Sequence, residues 1–370
     1  MSTPPPPPPP PLPNALTLDA ALATALETSH GLDLSTPEWS AAALRTPHGR
    51  AAIRAVHEAY FRAGAEVATT ATYQVGAVSE RDGAEDKKDN GGNSEDDNAA
   101  LIRTAVRLAH EARERVLAER AAREEELGKR LFVAGSLGPY GACLADGSEY
   151  TGAYGARVGA AELRAFHRGR IGALVGAGVD LLALETVPCA EEVAVVVRLL
   201  EKEFCGVRAW VGLSVRERDE RDERDERNEC EQQDDDDDAI VLADGSPLAP
   251  LSHLLTLSPS ITAFGPNCIA PHLVTRTLRI LRRHQPHSDA RTTRKPLLCY
   301  PNSGETWDAA GKAWRGSRGG GAVLAERVRE WWGEGARWVG GCCRTGAEEV
   351  RVVGRVLGEL GRGEGGGEGV

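Results

Sequence analysis

At 370 residues the chain has room for one large α/β domain or two ordinary ones. Its formal net charge of −11 is concentrated in two segments, 81–98 at −4 and 216–238 at −9, so the remainder is close to neutral and the acidity says little about a ligand. No basic stripe with interleaved aromatics occurs, which argues against nucleic acid, and no run of 18 apolar residues occurs, which argues against a membrane span.

Taken in chain order, residues 1–14 are dominated by eight prolines at 4–11 and read as a disordered or polyproline-II leader. They lack the basic region and apolar core of a secretory signal. Eight cysteines without such a signal point to a reducing compartment, the cytoplasm, rather than to a disulfide framework. From 15 to 358, short apolar runs alternate with amphipathic helical stretches. The runs are "ALTLDA" (15–20), "EVATTATY" (66–73), "LFVAGSLG" (131–138), "VDLLALETV" (179–187), "VRAWVGLSV" (207–215), "ITAFGPNC" (261–268), "PLLCYPNS" (296–303) and "RWVGGCC" (337–343). Helical patterns fall between them at 49–64, 161–178, 190–204, 272–284 and 323–335. Such alternation predicts right-handed βαβ units and a parallel sheet. Eight repeats close a (β/α)₈ TIM barrel, here a single domain with low-complexity loop insertions. An open doubly wound sheet is the alternative, but no Gly-rich dinucleotide fingerprint follows the first run. The segments 81–98 and 216–238 follow the second and fifth runs and are expected to be disordered βα-loop insertions, and 359–370 a disordered Gly-rich tail.

Residues that carry chemistry gather at the C-terminal ends of the runs: Asp19, Thr70, Thr72, Ser136, Glu185, Asn267, Cys268, Asn302, Cys342 and Cys343. In a barrel those ends converge on one mouth. Cys268 ends run six and Cys342 with Cys343 ends run eight, so the three thiols are able to share one metal. Three thiolates around Zn²⁺ leave the fourth tetrahedral position open, as in a catalytic site. Gly340 and Gly341 are expected to let the backbone bend so that both neighbours face one ion. Buried inert cysteines or a redox-sensitive vicinal pair remain open on spacing alone. Cys143, Cys189, Cys205, Cys230 and Cys299 are read as structural, as are the mid-helix His57 and His167.

"GPNC" followed by "GGCCRTG" resembles the homocysteine S-methyltransferase family, which includes betaine- and cobalamin-dependent relatives. The likeness extends to "HEAYFRAGAEVATTATYQ" (57–74), "GSLGPYGACLADGSEYTGAYG" (135–155), "LLALETVPCAEEV" (181–193) and "YPNSGETWD" (300–308), in family order across most of 15–355. "ADGSEYTG" and "YPNSGE" look most like the branch that uses S-methylmethionine or S-adenosylmethionine. The resemblance implies a (β/α)₈ barrel, Zn²⁺ on Cys268, Cys342 and Cys343, and methyl transfer from the sulfonium donor to L-homocysteine. It makes Glu185 the holder of the homocysteine ammonium, with Asp19 sharing that duty; an acidic N-cap for the next helix is the other reading of Glu185. Asn267 and Asn302 would brace loops or bond substrate, and Thr72, Tyr73, Ser136 and Tyr140 would line the donor side.

One stretch departs from the family. Where it usually reads "LDGG" and then "LATEL", this chain has "LDAALATALE", so Ala20, Ala21 and Ala25 replace two glycines and an acid; Pro266 also stands where Val or Ile is usual. Two added methyl groups are expected to crowd the substrate. A methyltransferase for another thiol or selenol, such as selenocysteine, and a catalytically silent zinc protein are the competing readings.

Overall fold

The computed structural model describes residues 12–36, 38–76, 95–123, 129–219, 239–286, 293–308, 313–316 and 318–364. Its centre is an eight-stranded parallel sheet: β1 (Leu16–Thr17), β2 (Val67–Thr69), β3 (Phe132–Leu137), β4 (Leu181–Val187), β5 (Ala209–Leu213), β6 (Ile261–Pro266), β7 (Leu297–Cys299) and β8 (Ala336–Val339). Each strand pairs with its sequence neighbour from β2 to β8, and β8 returns to β1 with Leu16 opposite Trp338. The β1–β2 seam is closed differently. Glu66 N donates to Thr17 O at 2.8 Å while its carboxylate accepts from Thr17 N at 3.0 Å. At the top of the same seam the Asp19 carboxylate accepts from Thr69 N and Oγ1 at 2.7 and 2.8 Å. The barrel expected from eight alternating runs is therefore present, and the open doubly wound sheet is not.

Side chains alternate along each strand, as the two-residue period requires. Leu16, Phe132, Leu181, Trp210, Leu298 and Trp338 fill the interior, where the Trp210 and Trp338 rings meet edge to face at 6.0 Å. Their neighbours Val133, Leu182 and Val211 belong to the clusters formed with the helices instead. Eight helices pack on the outer face, one after each strand: α2 (Pro47–Ala63), α3 (Glu95–Ala122), α5 (Ala160–Ala177), α6 (Ala190–Glu203), α7 (Leu248–Leu257), α8 (Pro271–Arg283), α9 (Gly321–Gly333) and α10 (Ala347–Glu364). Two shorter ones, α1 (Leu22–His30) and α4 (Tyr140–Leu144), belong to βα loops at the mouth. The start of α2 shows how local sequence sets a boundary. Thr46 caps it by accepting from Gly49 N at 3.0 Å, Pro47 occupies the first turn, and Gly64 ends it at φ +110. No helix among the described residues is long and apolar enough to cross a membrane.

The low-complexity segments are narrower than their composition suggests. Leu12 packs on the inner core, so the leader's last residues belong to the barrel. Glu95, Asp96 and Asp97 form the first turn of α3, where carboxylates complement the positive helix end. Arg216 and Glu217 pair across an antiparallel ribbon, Val215–Glu217 with Ile240–Leu242. Helix α10 continues to Glu364, held by Glu359 between Arg329 and Arg355. Residues 1–11, 77–94, 220–238 and 365–370 lie outside the described residues, the two internal stretches between β2 and α3 and between β5 and α7.

Candidate active site

The βα loops surround a cleft of about 750 Å³, counted out to its open mouth. One wall carries the thiols. Cys268 follows β6 at φ +53, its amide donating to Tyr300 O at 3.0 Å. Cys342 N donates to Pro301 O at 2.8 Å, and Ser303 N to Cys343 O at 3.0 Å. The three sulfurs lie within 4.8 Å of one another, with Cys268 and Cys343 at 3.4 Å. Tetrahedral Zn–S bonds of about 2.3 Å set sulfurs about 3.8 Å apart, inside that range. The donor set and its spacing thus fit a metal ion. As the sulfurs stand, Cys343 accepts from the thiols of Cys268 and Cys342, which holds its pKa well below the ordinary thiol value. All three are free cysteines.

Gly340 and Gly341 serve this turn by their lack of volume. Neither has positive φ. A Cβ on Gly340 would lie 2.6 Å from Asp19 O, and one on Gly341 2.2 Å from Thr345 Oγ1. Close approach, rather than a left-handed bend, is what excludes side chains there.

The same cleft carries acid and hydroxyl groups. Glu185, on β4, is partly buried and open toward the cleft. It accepts from Ser136 Oγ at 2.5 Å and from the Tyr300 phenol, whose oxygen accepts from the Trp210 indole at 3.0 Å. Burial pushes its pKa up to about 8, with those two hydrogen bonds opposing and the Asp19 charge adding. It caps nothing: Cys189 stands at the N-cap of α6 without a side-chain bond. Asp19 lines the cleft as well, pushed up to about 6 by burial against the two bonds from Thr69.

Of the other expected residues, Asn267 lines the cleft, while Thr72, Asn302 and Tyr140 do not. Asn267 Oδ1 accepts from Thr186 N at 2.7 Å and Nδ2 donates to Thr186 Oγ1 at 2.8 Å, which holds Thr186 at φ +59 beside Glu185. Thr72 Oγ1 donates to Ser136 O at 2.7 Å and does not reach the cleft. Asn302 is absent from the cleft too: it lines a small cavity beyond Gly340 and Gly341, its backbone N–H donating to Ile269 O. Tyr140 belongs to a satellite cluster with Tyr154 and Phe166, its hydroxyl on Glu162 at 2.8 Å. Thr72 lies in the turn after β2 and Asn302 in the loop after β7, so strand parity does not predict where they point.

Two rings that motif reading passed over complete the outer part. Trp39, from a 3₁₀ turn, meets Tyr73 edge to face at 6.3 Å, and Tyr150 brings its hydroxyl to 3.8 Å from Cys268 Sγ. Tyr150 lay in plain view within "GSEYTG", whereas nothing around Trp39 marked it. Buried Arg170 anchors this side by donating to Gly138 O and Tyr73 O, both at 2.8 Å. Ala20 and Ala21 line the base, and neither has positive φ, so the alanines are unstrained and act only through their methyl groups. Away from the cleft, His57 is buried with its pKa lowered to about 4 by desolvation, and His167 pairs with Glu192 at 2.7 Å, as structural residues do. Cys143, Cys189 and Cys299 are buried elsewhere and Cys205 is exposed; Cys230 lies outside the described residues.

Comparisons with known proteins agree with this geometry. The family model described as homocysteine S-methyltransferase matches residues 16–357. The homocysteine S-methyltransferase of Escherichia coli (strain K12) is 39% identical over 343 residues, spanning 91% of this chain and 94% of the relative. YbgG of Bacillus subtilis (strain 168), of the same name, is 36% identical over 91% of this chain and 93% of its own. The crystal structure of the E. coli homocysteine methyltransferase MmuM in its metallated form has a TM-score of 0.71 at 36% identity, covering 92% of this chain and 96% of that one.

Proposed function

The chain belongs to the homocysteine S-methyltransferase family, and from that premise we propose that it moves a methyl group from a sulfonium donor, S-methylmethionine or S-adenosylmethionine, to the thiol of L-homocysteine. The observation that carries this reading is one cleft lined by three convergent thiols, a carboxyl and aromatic rings. Cys268, Cys342 and Cys343 would hold Zn²⁺, whose Lewis acidity lowers the pKa of an acceptor thiol from its free value of about 8.5.

The remaining work falls to this chain's side chains. Glu185 receives the homocysteine ammonium as its carboxylate form, with Ser136 and Tyr300 fixing its direction. The N-terminus of α1, which has no side-chain cap, opens on the same cleft through Leu22, Ala23 and Thr24 and suits the α-carboxylate. Trp39, Tyr73 and Tyr150 offer ring faces to the sulfonium cation. The acceptor sulfur forms its bond to the methyl carbon as the donor S–CH₃ bond breaks, and the electron pair stays on the donor sulfur, which leaves as a neutral thioether. Opposite charges cancel in this step, so a cleft walled by Ala20, Ala21 and aromatic rings favours it over water.

The test is metal content of the purified chain, followed by methionine formation from homocysteine with each donor. One equivalent of zinc and turnover with either donor is the expected result. Bound zinc without turnover on either donor would overturn the proposed reaction, and absence of tight metal binding would overturn the metal centre.

A further inference from the structure

A charged cluster beside the cysteine turn takes no part in the chemistry above. Glu305, in the loop after β7, accepts from Arg344 Nε and Nη2 at 3.2 and 3.3 Å, from Arg318 Nε at 2.8 Å and from Ser303 Oγ at 3.0 Å. The Glu305 side chain is only 12% exposed, so it is a fixed partner rather than a solvated one. Arg344 directly follows Cys343 and is held at φ +66, a conformation that a residue with a Cβ keeps only when its surroundings impose it. Its amide donates to Thr24 Oγ1 of α1 at 3.1 Å. The loop that supplies Glu305 also supplies Ser303, whose amide donates to Cys343 O at 3.0 Å. The two thiols after β8 thus sit on a turn tied from two sides, by the loop after β1 and by the loop after β7.

We propose that the Glu305–Arg344 ion pair is a latch that pre-organises Cys342 and Cys343 for the metal. Glu305 acts through Arg344 and never touches the ion, so both are positioning residues. The proposal rests on the metal reading given above. The guanidinium presents two parallel N–H groups to one carboxylate, and this fork fixes the direction of the Arg344 side chain. With it fixed, the left-handed backbone at Arg344 is held, and the preceding cysteines keep their inward course. With the latch gone the turn relaxes, and the thiols must be gathered when the metal binds, which weakens binding.

The experiment uses the full chain and Zn²⁺ alone, with affinity read by competition against a chromogenic chelator. Glu305→Gln, Arg344→Gly and the double variant are compared with the unaltered chain; glycine at 344 tolerates the left-handed backbone while deleting the latch. Each single variant is expected to bind zinc 10- to 100-fold more weakly, the range in which groups that orient metal ligands act. The double variant is expected to be no weaker than the worse single one, because the two residues act as a unit. Arg344→Lys, which keeps the charge and loses the fork, is expected to fall between and serves if a harsher variant fails to fold. Zinc affinity within twofold of the unaltered chain in folded single variants, or losses that add in the double variant, would overturn the latch while leaving the metal reading intact. An unaltered chain that binds no zinc would overturn the metal reading and the latch with it.

Discussion

Glu185→Gln separates the acid's function from its cost to the fold. The Glu185 carboxyl has a pKa of about 8 against an ordinary 4.5, a difference worth at most about 5 kcal/mol, and less because its cleft face is open to water. The sign follows from linkage. A folded pKa above the unfolded one favours the fold below the unfolded value, so this stability is complete below about pH 4.5 and is lost as pH rises through about 8. Glutamine copies the neutral acid, keeps an acceptor for Ser136 and Tyr300, and never ionises. The ligand-free variant should therefore melt like the unaltered chain at pH 4 and several degrees higher at pH 9, measured by calorimetry across that range. Homocysteine reverses the balance, because its ammonium needs the carboxylate. The KM for homocysteine of the unaltered chain should fall as pH rises from 6.5 to 8.5, whereas the variant should show a KM raised by about 100-fold and flat in this range, in line with a lost charge-assisted bond. Equal melting temperatures at every pH together with an unchanged KM would refute both the buried acid and its role.

Other perturbations test the walls of the cleft. Tyr300→Phe leaves the buried Trp210 indole N–H without its acceptor and removes one donor from Glu185, so it should lower stability by about 1–3 kcal/mol and raise the homocysteine KM while sparing the donor KM. Gly341→Ala places a methyl 2.2 Å from Thr345 Oγ1 and should reduce bound metal, measured by elemental analysis, at a modest loss of melting temperature. Tyr150→Ala removes one ring face for the sulfonium and should raise the donor KM about 5- to 30-fold, or about 1–2 kcal/mol, with metal content unchanged. Ala20→Gly with Ala21→Gly deletes two methyls from the base of the cleft without relieving any backbone strain, so a rise in kcat/KM for homocysteine is expected from space alone.

Much of the molecule was legible along the chain because the barrel is built from local repeats. Eight apolar runs separated by amphipathic stretches lead to one parallel barrel, and polar residues at run ends lead to one mouth. That logic brought Cys268, Cys342 and Cys343 together, with Glu185 in the same cleft. It stopped where the strands stop. Thr72 and Asn302 follow the last paired residue of their strands, and the turns there send Thr72 to Ser136 O and Asn302 into a neighbouring cavity. The composition of the charged segments likewise blurred their edges, since Glu95 to Asp97 stabilise a helix start by position and not by apolarity.

The sequence by itself determined the class of fold, the order of its elements and the residue types able to bind a metal and an ammonium, because each of these depends on periodicity or on side-chain chemistry. Only the tertiary structure decided which of those residues face the cleft. It brought Trp39 and Tyr150 beside Tyr73, set Glu305 against Arg344 across 39 positions of chain, and left Gly340 and Gly341 no room for a side chain. Contacts between loops from different repeats arise from how the barrel closes, and no periodicity along one strand or helix encodes them.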